Sequence, residues 1–226
     1  MTRFFLGITG ASGHAYAEAL LRALVAAGHE VDLSVTEAGA KVMRHELGIE
    51  AGTRGERLAQ ALPSWIGAPA ARSVRAFASD AVEAPPSSGT ALTGGAILCP
   101  CSMGTLARVS AGFSSNLVER AADVALKEGK KLVLVPRETP LSPLHLENML
   151  RLSRLGAIIL PAMPGFYHRP KRVEDLVGHV VGKILDRLGV EHSVGARWEG
   201  TEVPAEDAGV ERPKSAEKAT EKDRSP

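Results

Sequence analysis

The sequence predicts one α/β domain of three layers, with a mostly parallel sheet between two layers of helices. Short apolar runs alternate with amphipathic stretches from the first residues onward, a pattern typical of repeated strand–helix units. Polar turns rich in glycine or serine follow four of the predicted strands. At 226 residues, with 44% apolar and only 4% aromatic residues, the chain is long enough for one substantial core.

The first two strand–helix units are the clearest. The apolar run RFFLGI at 3–8 predicts a buried strand. A helix is predicted at 13–27, where apolar residues recur three and four positions apart. Gly28 ends this helix, and strand 31–35 and helix 37–47 continue a right-handed βαβ arrangement. Further strands are predicted at 73–77, 96–100, 131–135 and 157–161, and further helices within 102–128 and at 143–155 and 173–188.

Residues 49–95 break this regularity. They contain four prolines and many small residues, and a short strand at 73–77 is the only regular element that the pattern supports. Structureless connections of this length are uncommon in compact domains unless they serve a function. We therefore expect an irregular excursion that covers the edge of the sheet or a site.

Composition and charge exclude several classes of protein. The net charge of +1 disfavours nucleic acid as a partner, and no apolar run reaches the ~18 residues that a membrane span needs. The N-terminal strand enters a glycine turn directly, unlike a signal peptide. Cys99 and Cys101, too close together for a comfortable disulfide, suit a reducing cytoplasm. Without a CxxC or HExxH pattern, the sequence predicts no metal site.

The two ends of the chain differ in composition. We place the folded domain at 1–192 and a C-terminal extension at 193–226. From residue 200 onward, twelve of 27 residues are charged, and aromatic residues, Leu and Ile are absent. Such a segment buries too little apolar surface to order itself, so we expect a largely disordered tail.

Four polar turns, each at the carboxyl end of a predicted strand, are expected to meet along one edge of the sheet. Ligands bind at that edge in folds of this class. The turn TGASG places N–H groups, the Ser12 hydroxyl and a helix start around one point, which favours an anion, although a tight structural turn has the same pattern. Ser102 could equally cap the next helix. The four turns are TGASG (9–13), VTEAG (35–39), PCSMGT (100–105) and PRETP (136–140).

Two later segments indicate phosphate chemistry. Arg137 can clamp a phosphate and Glu138 can transfer a proton, with a surface ion pair as the alternative. FYHRP at 166–170 suits a second phosphate-bearing ligand, although Tyr167 could simply pack. The turn at 9–13 is not a GxGxxG fingerprint, and no lone acidic residue follows the second strand, so NAD is disfavoured.

Taken together, these motifs resemble the UbiX flavin prenyltransferases over roughly residues 3–190. The resemblance implies a flavodoxin-like Rossmann fold and assembly into a homododecamer. It also implies an enzyme that joins the prenyl group of dimethylallyl monophosphate to reduced FMN without a metal and supplies the product to UbiD-type decarboxylases. The motifs are GITGASG (7–13), SSG (87–89), ILCPCSMGT (97–105), RAADVALKE (120–128), VPRETPL (135–141) and MPGFYHRP (163–170).

Carried over position by position, the resemblance implies two ligand sites and a set of catalytic residues. The residues implied for FMN are Gly10, Ala11, Ser12, Thr36, Ser102, Met103, Gly104, Thr105 and Arg137. Those implied for the dimethylallyl phosphate are Arg120, Lys127, Tyr167 and Lys183, with Glu46 near the prenyl pocket and Trp198 as a C-terminal aromatic over the site. Ring closure on the flavin needs a proton source and sink. Our candidates for catalytic residues are Ser12, Glu46 and Glu138.

The chain departs from the family pattern in places. Thr36 is often serine and Lys183 is arginine in some members, whereas residues 103–104 are often bulkier or basic, so contacts there are expected through the backbone. The 52–75 stretch and the charged tail also differ from the family pattern.

Two alternative functions stay open. One is that of a flavin-dependent cysteine decarboxylase, but residues 161–166 depart from the PxMNxxMW segment of those enzymes. Another is a non-enzymatic FMN carrier, which needs neither RETP nor FYHRP. The sequence leaves the choice between a monophosphate and a pyrophosphate donor open.

Overall fold

A six-stranded sheet forms the centre of the protein in the computed structural model, which describes residues 1–195. The predicted charged tail and Trp198 lie outside the described residues. The strands are β1 (Arg3–Ile8), β2 (Glu30–Val35), β3 (Val74–Phe77), β4 (Ala96–Cys101), β5 (Leu132–Pro136) and β6 (Ile158–Ile159). The helices are α1 (His14–Ala26), α2 (Glu37–Leu47), α3 (Gly55–Ile66), α4 (Ala68–Ala71), α5 (Met103–Ser110), α6 (Leu117–Lys127), α7 (Pro143–Arg154) and α8 (Val173–Leu188), with a 3-10 turn at Pro85–Ser87.

The strand order is β3-β2-β1-β4-β5-β6, and each neighbouring pair is parallel. The chain therefore runs outward from β1 in one direction and then returns to build the other half from β4. Such a reversal opens a crevice at the carboxyl ends of the two central strands, where open α/β sheets bind ligands. The predicted parallel α/β fold is confirmed, and β6 is shorter than expected.

Two apolar layers hold the helices on opposite faces of the sheet, as predicted. Because side chains alternate along a strand, Phe4, Leu6 and Ile8 of β1 lie in one layer and Phe5 lies in the other. The first layer contains buried residues of α1, α3 and α8, and the second contains those of α5, α6 and α7. The sheet is thus covered on both faces, as an all-parallel sheet requires.

The expectation of an irregular excursion over 49–95 is wrong for residues 55–71, which form α3 and α4. Leu58, Leu62 and Trp65 recur at helical spacing and are buried in the first apolar layer. Pro63 lies in the last turns of α3, and Pro69 lies in the first turn of α4. Both prolines lie close to helix ends, where proline is tolerated. Their presence made the segment look irregular in the sequence and drew attention away from the helical spacing of its apolar residues. The helix packs beside β3, so this segment does cover the edge of the sheet.

Cys99 and Cys101 are free thiols buried at the end of β4, as the sequence suggested. Burial raises the pKa of both thiols, to about 12 for Cys101, which keeps them protonated and unreactive. Within residues 1–195, none of the helices is long and apolar enough to cross a membrane.

Candidate active site

The turns after β1 and β4 are joined by Thr9, which is completely buried. Its hydroxyl donates to the carbonyl oxygen of Pro100 over 2.8 Å and accepts the Ser102 N–H over 2.7 Å. The Thr9 carbonyl oxygen lies 3.2 Å from Nε2 of His14 at the start of α1. One side chain thus fixes two of the four predicted turns across the crevice, a function that the sequence analysis did not assign to it.

We expect Thr9→Val to destabilise the protein by about 1–3 kcal/mol, because it removes the hydroxyl that the buried Pro100 carbonyl and Ser102 N–H both use. Thr9→Ser keeps the hydroxyl and is the matched control. The free energy of unfolding from denaturant titrations measures the difference. Equal stabilities for the valine and serine variants would contradict this function of Thr9.

The start of α1 is occupied by a carboxylate of the protein itself. Glu46, near the end of α2, accepts N–H groups from Gly13 over 3.0 Å and His14 over 2.9 Å. Burial alone would raise the pKa of Glu46, but hydrogen bonds from the Ser12 side chain and these two amides outweigh it and hold the pKa below its usual value. The interpretation of this turn as a phosphate cradle is therefore revised: the anion at its Gly13 and His14 amides is Glu46.

The first turn of α2 packs closely against the end of β1. A Cβ on Gly10 would lie 2.6 Å from Cβ of Ala38, and one on Gly39 would lie 2.7 Å from the Ile8 carbonyl oxygen. Glycine is therefore required at both positions for this approach. The hydroxyl oxygen of Thr36 caps α2 by accepting the Gly39 N–H over 3.1 Å, which places this predicted FMN residue on the rim of the crevice.

Ser102 caps α5, as one of its two interpretations predicted. Its Oγ accepts the Thr105 N–H over 3.3 Å and lies 3.0 Å from the Thr105 hydroxyl. Met103 is buried in the second apolar layer, so only its backbone faces the crevice. Arg108 donates to the Thr105 hydroxyl over 3.3 Å and to the fully buried Glu119. This arginine, one turn beyond the predicted motif, ties the Thr105 hydroxyl to the buried Glu119 through its ion pair with that carboxylate.

The turn after β5 reaches across to the turn after β1. Nε of Arg137 donates to the Ser12 carbonyl oxygen over 3.1 Å. Glu138 is exposed, and its Oε1 accepts the N–H of Thr139 over 3.0 Å. Within residues 1–195 neither side chain makes an ion pair, so the surface ion pair considered as an alternative is absent there. Both residues line a cavity of about 230 Å³ with Met163 and the end of β5.

Tyr167 and Lys183 are connected through His179 of α8. Met163 borders the cavity of Arg137 and Glu138 and also a larger cavity of about 580 Å³, which Lys183 and His179 line. The hydroxyl oxygen of Tyr167 lies 3.0 Å from Nε2 of His179, one helical turn before Lys183. His179 thus links the two predicted residues, and Pro161 and Met163 separate the cavity that Lys183 lines from that of Arg137 and Glu138.

Arg120 and Lys127 both form ion pairs with neighbouring carboxylates of their own segment. Arg120 of α6 pairs with Asp123 over 3.0 Å, and Lys127 at the end of α6 pairs with Glu128 over 2.9 Å. Lys127 precedes β5, whereas Arg137 follows it, so they lie at opposite ends of a five-residue strand, roughly 13–17 Å long. Lys127 therefore lies outside the crevice of its own chain.

The parallel fold and the converging polar turns define an open α/β protein that binds its ligand at the carboxyl edge of the sheet. Over residues 1–185 the sequence matches the family model described as Flavoprotein. It is 48% identical over 196 residues to the flavin prenyltransferase UbiX of Pseudomonas aeruginosa, covering 87% of this chain and 93% of that protein. The chain therefore belongs to the Flavoprotein family and, within it, to the UbiX flavin prenyltransferases, and it is an enzyme.

Two solved structures are similar to the described fold. One is the dodecameric FMN-dependent UbiX-like decarboxylase of Escherichia coli O157:H7, with a TM-score of 0.77 and 42% identity over 88% of this chain and all of that one. The other is AnUbiX in complex with FMN and dimethylallyl pyrophosphate, with a TM-score of 0.78 and 36% identity over 89% of this chain and 99% of that one. The flavodoxin-like fold implied by the resemblance is confirmed.

Proposed function

We propose that this enzyme transfers the dimethylallyl group of dimethylallyl monophosphate to N5 and C6 of reduced FMN and releases phosphate. The observation that carries the proposal is the meeting of four polar turns in the crevice between β1 and β4, beside the Tyr167 and Lys183 cluster. The carbon–oxygen bond of the donor breaks and its electron pair leaves with the phosphate, while N5 bonds to the freed allylic carbon and loses its proton. The alkene then gains a proton at one carbon, its other carbon bonds to C6, and C6 loses its proton. Reduced FMN supplies the nucleophilic nitrogen. The product is the prenylated FMN that UbiD-type decarboxylases use.

The FMN side of the site is built from hydrogen-bond donors, which fit a phosphorylated cofactor. The backbone of residues 103–105 at the start of α5, the Ser102 and Thr105 hydroxyls and Arg137 suit the phosphate and the polar edge of the flavin. Gly10 and Ala11, with Ser12, line the opposite wall, and Thr36 stands at the rim. Glu46 holds the turn at 10–13 in place through the amides of Gly13 and His14.

The prenyl phosphate side needs groups that stabilise charge as phosphate leaves. Tyr167 and Lys183 supply a hydroxyl and a cation for this purpose. Because Lys127 lies at the far end of β5, we propose that Arg120 and Lys127 act in the site of another copy. In this proposal the cationic groups stabilise the charge on the leaving phosphate, as a metal ion does in other phosphate-releasing enzymes, so the reaction needs no metal.

A homododecamer would supply such a second copy. Leu144, Leu146 and Leu150 on α7 are each more than half exposed, and Phe166 is 69% exposed beside the site. Exposed leucines this close together on one helix favour burial against a further chain. The similar decarboxylase of Escherichia coli is dodecameric, which supports the same assembly. The two buried free thiols are compatible with the cytoplasm as the compartment.

Proton transfer during ring closure is assigned to Glu138, with Ser12 and the leaving phosphate. Glu138 lines the 230 Å³ cavity beside Arg137, and Arg137 contacts the Ser12 backbone. Glu46, which accepts a hydrogen bond from the Ser12 side chain, provides a second carboxylate beside the turn at 9–13. Both carboxylates are exposed and hydrogen-bonded, Glu138 to the Thr139 N–H and Glu46 to the Gly13 and His14 amides, and we assign the acid and base functions to this pair.

Release of the leaving group tests the proposal directly. Anaerobic incubation with reduced FMN and dimethylallyl monophosphate should release one phosphate for each flavin consumed, and the same mixture with oxidised FMN should release none. Dimethylallyl pyrophosphate is the comparison donor, and its use is measured by the release of pyrophosphate. Phosphate release that is independent of reduced FMN would overturn the proposed reaction.

A further inference from the structure

A histidine that the sequence analysis did not single out connects the turn after β6 with α8. Nδ1 of His179 accepts the Gly165 N–H over 3.1 Å, and Nε2 lies 3.0 Å from the Tyr167 hydroxyl. Gly165 fits closely between the two side chains, because a Cβ there would lie 2.8 Å from the Tyr167 ring and 3.3 Å from the His179 ring. The ring of His168 stacks on His179 with centroids 5.4 Å apart. The imidazole is therefore fixed on two sides.

The Gly165 amide determines which nitrogen of His179 carries the proton. A backbone N–H only donates, so Nδ1 must be the unprotonated acceptor. In the neutral ring the proton then resides on Nε2, which donates to the Tyr167 oxygen. Because Tyr167 accepts this hydrogen bond, its own hydroxyl hydrogen is directed to an acceptor other than His179. A phosphate oxygen has the chemistry of such an acceptor.

We propose that His179 is a positioning residue that orients the Tyr167 hydroxyl as a donor toward the phosphate of the dimethylallyl substrate. This inference rests on the proposed function, in which Tyr167 and Lys183 bind that phosphate. It assigns the Gly165 N–H, the His179 imidazole and the Tyr167 hydroxyl to one directed chain of hydrogen bonds. In this proposal the series of hydrogen bonds ends at the phosphate, the group that leaves in the reaction.

The chain of hydrogen bonds requires a neutral His179. Burial, with the neighbouring His168 and Lys183, lowers the pKa of His179 below its usual 6.5. The other groups around it are Tyr167 and, in the same cavity, Arg187. As pH falls through the lowered pKa, Nδ1 gains a hydrogen that faces the Gly165 N–H, and the two donors repel. The positioning is therefore present at neutral pH and is lost on the acid side.

Three proteins loaded with oxidised FMN, which cannot react, test the inference: wild type, His179→Gln and His179→Phe. Glutamine can accept from Gly165 and donate to Tyr167 but does not titrate, whereas phenylalanine keeps the ring without either hydrogen bond. Calorimetry with dimethylallyl monophosphate should give an affinity for the glutamine variant within about twofold of wild type at pH 7.5. For the phenylalanine variant we expect an affinity about fivefold to tenfold weaker, the range for one lost hydrogen bond.

The pH dependence separates positioning from a merely structural effect. The phosphate of the substrate titrates near pH 6 itself, so wild type is compared with His179→Gln at each pH. Their affinities should agree at pH 8, and wild type alone should lose additional affinity as the pH falls through the lowered pKa of His179. Parallel curves for the two proteins, or a phenylalanine variant that binds as wild type does, would overturn the inference.

Nitrogen-15 solid-state NMR of histidine-labelled, FMN-free protein distinguishes this inference from the proposed function. The signal that disappears in His179→Phe should be that of an Nε2-protonated ring. An Nδ1-protonated ring would overturn the inference and leave the proposed reaction untouched. An Nε2-protonated ring together with unchanged substrate affinity in Tyr167→Phe would also overturn the inference, and the assignment of Tyr167 to the substrate would then be the part that failed.

Discussion

Glu138→Gln is expected to lower the rate of flavin prenylation by about 10²–10⁴-fold, the range for removing a general acid or base. Glutamine keeps the size of the side chain, and its amide oxygen can still accept the Thr139 N–H that Glu138 accepts over 3.0 Å. The local backbone is therefore preserved while proton transfer is removed. Single-turnover measurements with reduced FMN and dimethylallyl monophosphate give the rate, and fluorescence titration gives the FMN affinity, which should change by less than about twofold.

Glu191→Gln is the matched control for this variant. Glu191 is an exposed carboxylate just after α8, whose end lies beside Lys131 before β5, so its replacement makes the same change in charge outside the crevice. Normal turnover is expected in the control. A normal rate in Glu138→Gln would refute the proton-transfer function of Glu138, and a loss of FMN affinity would instead point to a binding function.

The double variant Tyr167→Phe with Lys183→Ala is expected to weaken binding of dimethylallyl monophosphate by about 100-fold or more, because two hydrogen bonds to a charged group are lost. The FMN affinity should stay within about twofold, since Arg137 and the turn at 102–105 are unchanged. The KM for the prenyl donor and the dissociation constant for FMN are measured separately. Lys171→Ala, an exposed lysine before α8, controls for the change in net charge.

The two-site assignment depends on this difference between the ligands. If the double variant loses FMN and prenyl donor affinity to the same extent, the two phosphates are not held by separate groups. If neither affinity changes, the cluster at Tyr167 and Lys183 is not part of the site.

Local patterns predicted most of the sheet and the edge at which the site lies. The apolar run of β1, the turn at 9–13 and the face of α1 are signals within a few residues of each other, and such signals predict elements well. The α3 helix escaped prediction because Pro63 and Pro69 dominate the composition of its stretch, although its buried face has helical spacing.

Contacts between distant parts of the chain were beyond the sequence. Thr9 joins Pro100 across 91 positions, and Glu46 reaches the start of α1 across 32 or 33 positions. No local pattern marks either partner, because the fold alone brings them together. The resemblance to a family supplied Arg120 and Lys127 as site residues, but only the structure reveals that one copy of the chain does not place Lys127 in the crevice.

The mass of the flavin after reaction tests the central claim most directly. The protein is mixed anaerobically with reduced FMN and dimethylallyl monophosphate, and the flavin is extracted and weighed by mass spectrometry. We expect a flavin heavier by one five-carbon prenyl unit, formed in wild type and not in a mixture without the protein. Unchanged FMN recovered from active, FMN-loaded protein would contradict it.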